Sequence, residues 1–297
     1  DANGWVELVS GAASVGQGME TALAQICAET LGIDYQRIRV VRGRTDRIEF
    51  GNGAHASRVT VMSGTATYLA AHAVRSMALD MAAQLLQAAP ADLTIRDGRI
   101  LRNTALDQPL MDLAEVARQM GPNSPLMKGR TPGLTAERWF YSEHMTYPYG
   151  VHLAQIRIDR ETGETRVERY LIANDIGRAI NPMLVEGQIV GGFAQGLGGA
   201  LFEEFCYDEQ GQPLSTTFAD YLIPTIAEVP PVDVLIAEEA PSPLNPLGVK
   251  GAGEGGTNAV GAAIASAIDD ALGRPGAITS LPVSPRRMRR HLAEGTR

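Results

Sequence analysis

What this 297-residue chain has little of narrows its function first. It carries two cysteines, Cys27 and Cys206, too few for a disulfide framework, a four-thiolate iron–sulfur site or a cysteine-rich zinc site. A reducing, cytoplasmic compartment is the simpler expectation for such a chain. Positive charge is not in excess: 26 Lys and Arg stand against 34 Asp and Glu, for a formal net charge of −8. That balance argues against affinity built by neutralising phosphates along a nucleic acid. No run approaches 18 uninterrupted apolar residues, so no transmembrane helix and no membrane role are expected. The opening Asp1-Ala-Asn-Gly-Trp-Val has neither a basic nor an apolar signal segment. It is instead a turn signal of the kind that joins two strands, as though the chain began inside a larger protein.

What is present is an ordinary globular composition, 44% hydrophobic and 20% charged, at a length that suits two domains. Trp5 to Val9 reads as a strand, followed by the loop Gly16-Gln-Gly-Met-Glu-Thr and a helix from Ala22 to Leu31. Ile38 to Arg42 is a second strand. The loop Gly51-Asn-Gly-Ala-His-Ala-Ser-Arg then enters one long, mostly buried helix from Val59 to Ala88. A hairpin turns on Asp97-Gly98, and a short helix covers Asp112 to Met120. Residues 121–135 are rich in Gly, Pro and polar residues, which divides the chain into a subdomain of residues 1–130 and another of 131–297.

In the second half, Val151 to Asp159 and Glu164 to Ile172 alternate as a hairpin joined by Arg160-Glu-Thr-Gly163. A helix from Pro182 to Glu203 carries five glycines in the nine positions Gly191 to Gly199. Each costs roughly 1 kcal/mol relative to Ala inside a helix, so the cluster needs a packing or binding reason. A Pro-rich strand region spans 224–246, and the loop from Gly248 to Thr257 leads into an apolar helix from Asn258 to Leu272. Arg286, Arg287, Arg289 and Arg290 form a basic tail that reads as a solvated helix end.

Four glycine-bearing loops placed before or within helices are the strongest feature, because helix N-termini bind anions and glycines let main chain approach a phosphate or a flat ring. Gly251-Ala-Gly-Glu-Gly-Gly256 also satisfies the dinucleotide fingerprint Gly-x-Gly-x-x-Gly. The Pro243-Leu-Asn-Pro-Leu-Gly before it is no apolar strand, and too little chain follows for a nucleotide domain. Glu254, between Gly253 and Gly255, has two readings: a first-turn acid complementing the helix dipole, or a base that must lie against a bulky cofactor. His55 lies where it could meet a cofactor phosphate. His72, His144, His152 and His291 show no ligand spacing, and Met62, Met77 and Met81 read as core.

Taken together, Gly16-Gln-Gly-Met-Glu-Thr, Ala56-Ser-Arg, Asp175-Ile-Gly-Arg-Ala-Ile-Asn-Pro182, the run from Glu186 to Leu201 and Lys250-Gly-Ala-Gly-Glu-Gly-Gly resemble the xanthine oxidase family of molybdenum hydroxylases. Their order and spacing match the C-terminal half of the molybdopterin-binding subunit over nearly the whole chain, apart from about residues 90–140. The resemblance implies an α+β fold of mixed sheets with packed helices in two subdomains. It also implies a molybdopterin cofactor, in its cytosine dinucleotide form, whose dithiolene and not the protein holds the molybdenum. Gly16, Gln17 and Gly18 match the loop that holds the dinucleotide, and Ala56, Ser57 and Arg58 a second cofactor loop. Gln195 and Gly196 match the segment beside the metal centre, and Gly253 and Glu254 the loop whose glutamate is the family's general base. The activity implied is hydroxylation of an aldehyde or N-heterocycle with water as oxygen source. The N-terminal molybdopterin half, an Fe–S subunit and an FAD subunit are then required as partners. The alternative is a non-catalytic structural or interaction protein derived from this fold, with its glycines kept for packing alone. Gly255-Gly256 replace bulkier residues found in some family members.

Overall fold

The computed structural model describes residues 1–294, which fall into two compact units. One comprises Asp1–Thr146 with Ser242–Val249; the other comprises Tyr147–Pro241 with the segment from Lys250 on. The division thus falls at Thr146, not at residue 130, and the stretch 242–249 returns to the first unit. The irregular segment after residue 120 keeps its backbone bonds within that unit, as where Gly133 N–H donates to the Met120 carbonyl at 2.8 Å.

In the first unit, β1 (Val6–Val9) pairs in parallel with β2 (Ile38–Val41), and α1 (Met19–Leu31) makes the crossover between them. α1 begins three residues earlier than the apolar spacing suggests, because Gly18 at φ 77° turns the chain into the helix directly from the glycine loop. It stops where Gly32 takes the left-handed conformation and bonds back to Ala28. The long helix of the sequence is two pieces, a π-helical turn at Thr60–Gly64 and then α2 (Thr65–Leu86). A three-stranded antiparallel sheet follows, β3 (Leu93–Arg96), β4 (Arg99–Arg102) and β5 (Ala105–Asp112), and α3 (Leu113–Gln119) closes over it. β5 carries Pro109 and mostly exposed side chains, so no hydrophobic alternation announces it. The core gathers Ala78, Ala82, Leu93, Ile100 and Val116 between α2, α3 and this sheet.

In the second unit, β6 (Tyr149–Ile158) and β7 (Thr165–Asp175) form the expected hairpin, each longer than the alternation alone suggests. α4 (Pro182–Leu201) follows, started by Pro182 at its first position and by Asn181, whose side chain accepts from the Leu184 N–H at 3.1 Å. It carries the chain to β8 (Val232–Ala237), which pairs in parallel with β7. The strand region expected over 224–246 reduces to these six residues. Pro224, Pro230, Pro231, Pro241, Pro243 and Pro246 flank them, and proline gives no donor to a ladder. α5 (Val260–Leu272) buries Val260, Ile264 and Ile268, one every four residues, against Tyr170, Ile172, Phe193 and Leu197. Truncating Ile264 to Ala would cost about 2–5 kcal/mol at such a site. The basic tail is the helix α6 (Pro285–Glu294), with Arg286, Arg289 and Arg290 exposed as expected, while its inner side buries Met288 completely and pairs Arg287 with Glu204. Among the described residues, no helix is long and apolar enough to cross a membrane.

Candidate functional site

Two loops of the first unit are brought together by a crossing of glycines. A Cβ on Gly11 would stand 2.7 Å from the Phe50 carbonyl oxygen, and one on Gly51 would stand 2.6 Å from that of Gly11. Any side chain at either position would push the two backbones apart. From this crossing one strand of chain runs through Gly16, Gln17 and Gly18 into α1, and the other through Ala56, Ser57 and Arg58 toward α2. Gln17 folds its amide onto its own loop, donating to the Ala13 carbonyl at 3.0 Å and accepting from Val15 N–H at 2.7 Å. Glu20, in the first turn of α1, accepts from Ser14 and is paired with Arg42. These partners, together with the hydrogen bond the Glu20 backbone supplies, hold its carboxyl below the usual range against the opposing effect of burial.

The second loop is strained. Ala56 and Ser57 are both left-handed, at φ 50° and 52°, which for residues with a Cβ costs roughly 1–2 kcal/mol each. The π-helical turn begins three residues after Ser57, at Thr60. Strain in successive residues beside a rare helical turn is the kind of backbone that functional sites maintain. Arg58, Phe50, Gly51, Val59 and Met62 line an open cleft of about 1380 Å³ within this unit, larger than an ordinary small-ligand pocket. Met62 therefore faces the cleft, whereas Met81 is core and Met77 packs against it. His55 is exposed and contributes its carbonyl to the Arg58 N–H.

In the second unit, the loop from Lys250 to Gly256 is anchored at both ends. Lys250 is 7% exposed. Its ammonium lies 3.0 Å from Asp175 at the end of β7 and 4.6 Å from the centroid of the Tyr149 ring. Asp175 also accepts from the Gly177 and Ala240 N–H groups, and those bonds together with Lys250 hold its carboxyl below the usual range against the opposing effect of burial. At the other end, the Gly255 carbonyl lies 3.0 Å from Nε2 of His152. A Cβ on Gly255 would collide with the Asn174 amide, and one on Gly256 with the Ile189 carbonyl of α4. The paired glycines are thus what seats this loop on the sheet and helix. Between the anchors Glu254 is exposed, and its carbonyl accepts from Thr257 and Asn258 as the chain begins to coil toward α5.

The glycines of α4 answer to different surroundings: Gly198 leaves room for the Glu203 carboxylate, with which its Cβ would collide, and the others divide between two faces. Gly192 and Gly196 face the loop and α5: their Cβ atoms would stand 3.1 Å from Gly256 and 2.6 Å from Val260. Gly187, Gly191 and Gly199 point the other way, and a Cβ on any of them would meet no described atom within 4 Å. Gln195 stands on that second row, exposed, at the four-residue spacing that puts it between Gly191 and Gly199.

Of the residues singled out from sequence, Gly16, Gln17, Gly18, Ala56, Ser57 and Arg58 lie in the first unit on loops that share the Gly11–Gly51 crossing. Gln195, Gly196, Gly253 and Glu254 lie in the second. Sequence reasoning passed over His152, whose signal was its place in β6: alternation sets it on the inward row with Ala154, Ile156 and Ile158. Among the described residues no cluster of His, Cys, Asp and Glu is arranged to hold a metal ion.

Residues 1–230 match the family model of the molybdopterin cofactor-binding domain. The chain is 45% identical over 282 residues to the 6-hydroxypseudooxynicotine dehydrogenase complex subunit gamma of Paenarthrobacter nicotinovorans, covering 95% of this chain and 35% of that one. It is 37% identical over 246 residues to the carbon monoxide dehydrogenase large chain of Hydrogenophaga pseudoflava, covering 82% and 30%. Among solved structures, quinoline 2-oxidoreductase from Pseudomonas putida 86 superposes with a TM-score of 0.89 at 37% identity, over 99% of this chain and 37% of that one. The chain spans about a third of the length of these relatives.

Proposed function

The chain belongs to the molybdopterin cofactor-binding domain family of the xanthine dehydrogenase type, and from that membership we propose that it is the part of a molybdenum hydroxylase that holds the cofactor and supplies its general base. The residues present fit such a group. Helix α1 opens from a loop whose Gly16 and Gly18 take positive φ and whose N-terminal Gly18 has no side chain to obstruct an anion. In the first unit the strained Ala56–Ser57 turn is the kind of backbone that a ligand site maintains, and in the second the bare row of Gly187, Gly191 and Gly199 around Gln195 is a surface that a flat ligand would rest against. Nothing in the described chain packs on that row, which supports a ligand or a partner chain there over packing within this chain.

The observation that carries the reading is the Glu254 loop. It is clamped by Lys250 and His152 and laid on glycines of α4, yet it leaves its one carboxylate exposed. When bound, the molybdenum cofactor supplies the two-electron oxidation. This chain's part is to orient and to move a proton: Glu254 would take up, on a carboxylate oxygen, a proton of the water that provides the oxygen atom, while Gln195 donates or accepts beside it. Gln17 and its glycines would hold the dinucleotide, in the cytosine form, and Arg58 would offer a cation to its phosphates. An aldehyde or N-heterocycle fits as substrate class. The relatives are dehydrogenase and oxidoreductase chains about three times as long, which supports the remaining molybdopterin half and Fe–S and FAD subunits as partners. The thiols of Cys27 and Cys206 are both unpaired among the described residues, which suits a cytoplasmic enzyme. Metal and nucleotide analysis of the complex assembled around this chain tests the reading: stoichiometric molybdenum and a releasable pterin with a cytosine nucleotide are expected. A pure, fully assembled complex without either would overturn it.

A further inference from the structure

His152 occupies a row of β6 whose other members, Ala154, Ile156 and Ile158, pack against the apolar core. An imidazole in such a row is costly unless both ring nitrogens are bonded, and here both are. Nε2 lies 3.0 Å from the Gly255 carbonyl oxygen and Nδ1 lies 2.9 Å from the Tyr170 hydroxyl. A carbonyl only accepts, so Nε2 must carry a hydrogen; in the neutral ring Nδ1 is then the acceptor and Tyr170 the donor. Tyr170 is itself immobilised, 1% exposed on β7 with its ring 4.3 Å from that of Phe193 on α4.

From this geometry we propose that His152 is a positioning residue for Glu254: locked in one tautomer by Tyr170, it ties down the peptide that follows the glutamate. The inference rests on the reading of Glu254 as base. Only four residues, Gly251 to Glu254, separate this clamp from Lys250, and two of them are glycines with wide conformational freedom. Without the imidazole the loop keeps the Lys250 anchor and the seat of Gly256 on α4, but loses the side-chain bond to the peptide that follows Glu254. Burial also holds the imidazole below its ordinary 6.5, so it stays neutral and keeps the single-tautomer arrangement at neutral pH.

The test uses the assembled, cofactor-loaded enzyme with His152→Ala, His152→Gln, Tyr170→Phe and, as reference, Glu254→Gln. A displacement of about 1 Å in a reacting group can cost on the order of 10²-fold. His152→Ala should therefore lower kcat by about that factor, with KM, molybdenum and pterin content little changed. His152→Gln, which keeps an N–H at the reach of Nε2, should restore most of the loss, and Tyr170→Phe should fall between. A second readout is nitrogen NMR of the imidazole in the full chain at neutral pH: a single Nε2–H tautomer in the wild type, giving way to a tautomer mixture in Tyr170→Phe. Wild-type kcat in His152→Ala beside an inactive Glu254→Gln would overturn the positioning role and leave the base intact. Wild-type kcat in Glu254→Gln would overturn the base itself, and the positioning role with it. An Nδ1–H tautomer in the wild type would overturn the clamp even if His152→Ala failed to fold.

Discussion

At the scale of single residues, the chain spends conformational energy at Ala56. A left-handed alanine costs roughly 1–2 kcal/mol, part of which a glycine would return to the unfolded state as entropy. Ala56→Gly should accordingly raise the unfolding free energy of the chain by up to about 1 kcal/mol, as measured by chemical denaturation, while the assembled complex loads less cofactor. Equal or lower stability would mean that the turn is not strained. His152 gives a pH dependence of definite sign. Its folded pKa lies below the ordinary 6.5 because burial disfavours the charged ring, so the unfolded chain binds the proton first as pH falls. Its contribution to stability is fully present above 6.5 and is lost as pH falls from there through the folded value. The denaturation midpoint should drop across that window, and His152→Gln should remove that part of the drop.

At the scale of elements, α4 makes two faces from one residue type, and substitution should separate them by sign. Gly191→Ala adds a methyl to open space inside a helix and should stabilise the chain by roughly 0.5–1 kcal/mol. Gly196→Ala drives a methyl to 2.6 Å from the Cβ of fully buried Val260 and should destabilise by about 1–3 kcal/mol. If the open row faces the cofactor, Gly191→Ala should also reduce cofactor content despite its gain in stability; thermal denaturation and metal analysis read the two effects apart. The glycine count predicted a reason of this kind without telling the faces apart, since the distinction depends on where α5 and the Glu254 loop land. Elsewhere periodicity served well where burial was regular, as in α5 and the β6–β7 hairpin. It failed where other terms ruled: β5, with little apolar surface to bury, gave no pattern, and α6 hid one buried methionine among arginines.

At the scale of the whole molecule, the family was legible in the sequence because its motifs rest on fixed residue types, above all glycines where main chain comes close to main chain. What holds those motifs was not legible, because the Gly11–Gly51 crossing, the Lys250–Asp175 pair and the His152–Gly255 bond join positions tens to more than a hundred residues apart. With two cores of its own the chain should fold by itself. Spanning about a third of its relatives, it should not retain molybdopterin when purified alone, as absorbance and metal analysis would show.

The central claim, that this domain provides the general base of a molybdenum hydroxylase, is tested most directly by the turnover of Glu254→Gln in the fully assembled enzyme. The amide keeps the shape of the side chain and removes its basicity. The account predicts a fall in kcat of roughly 10²- to 10⁴-fold at unchanged molybdenum and pterin content. Turnover near the wild-type rate in a fully loaded variant would contradict it and return Glu254 to the role of an acid at the entrance to a helix.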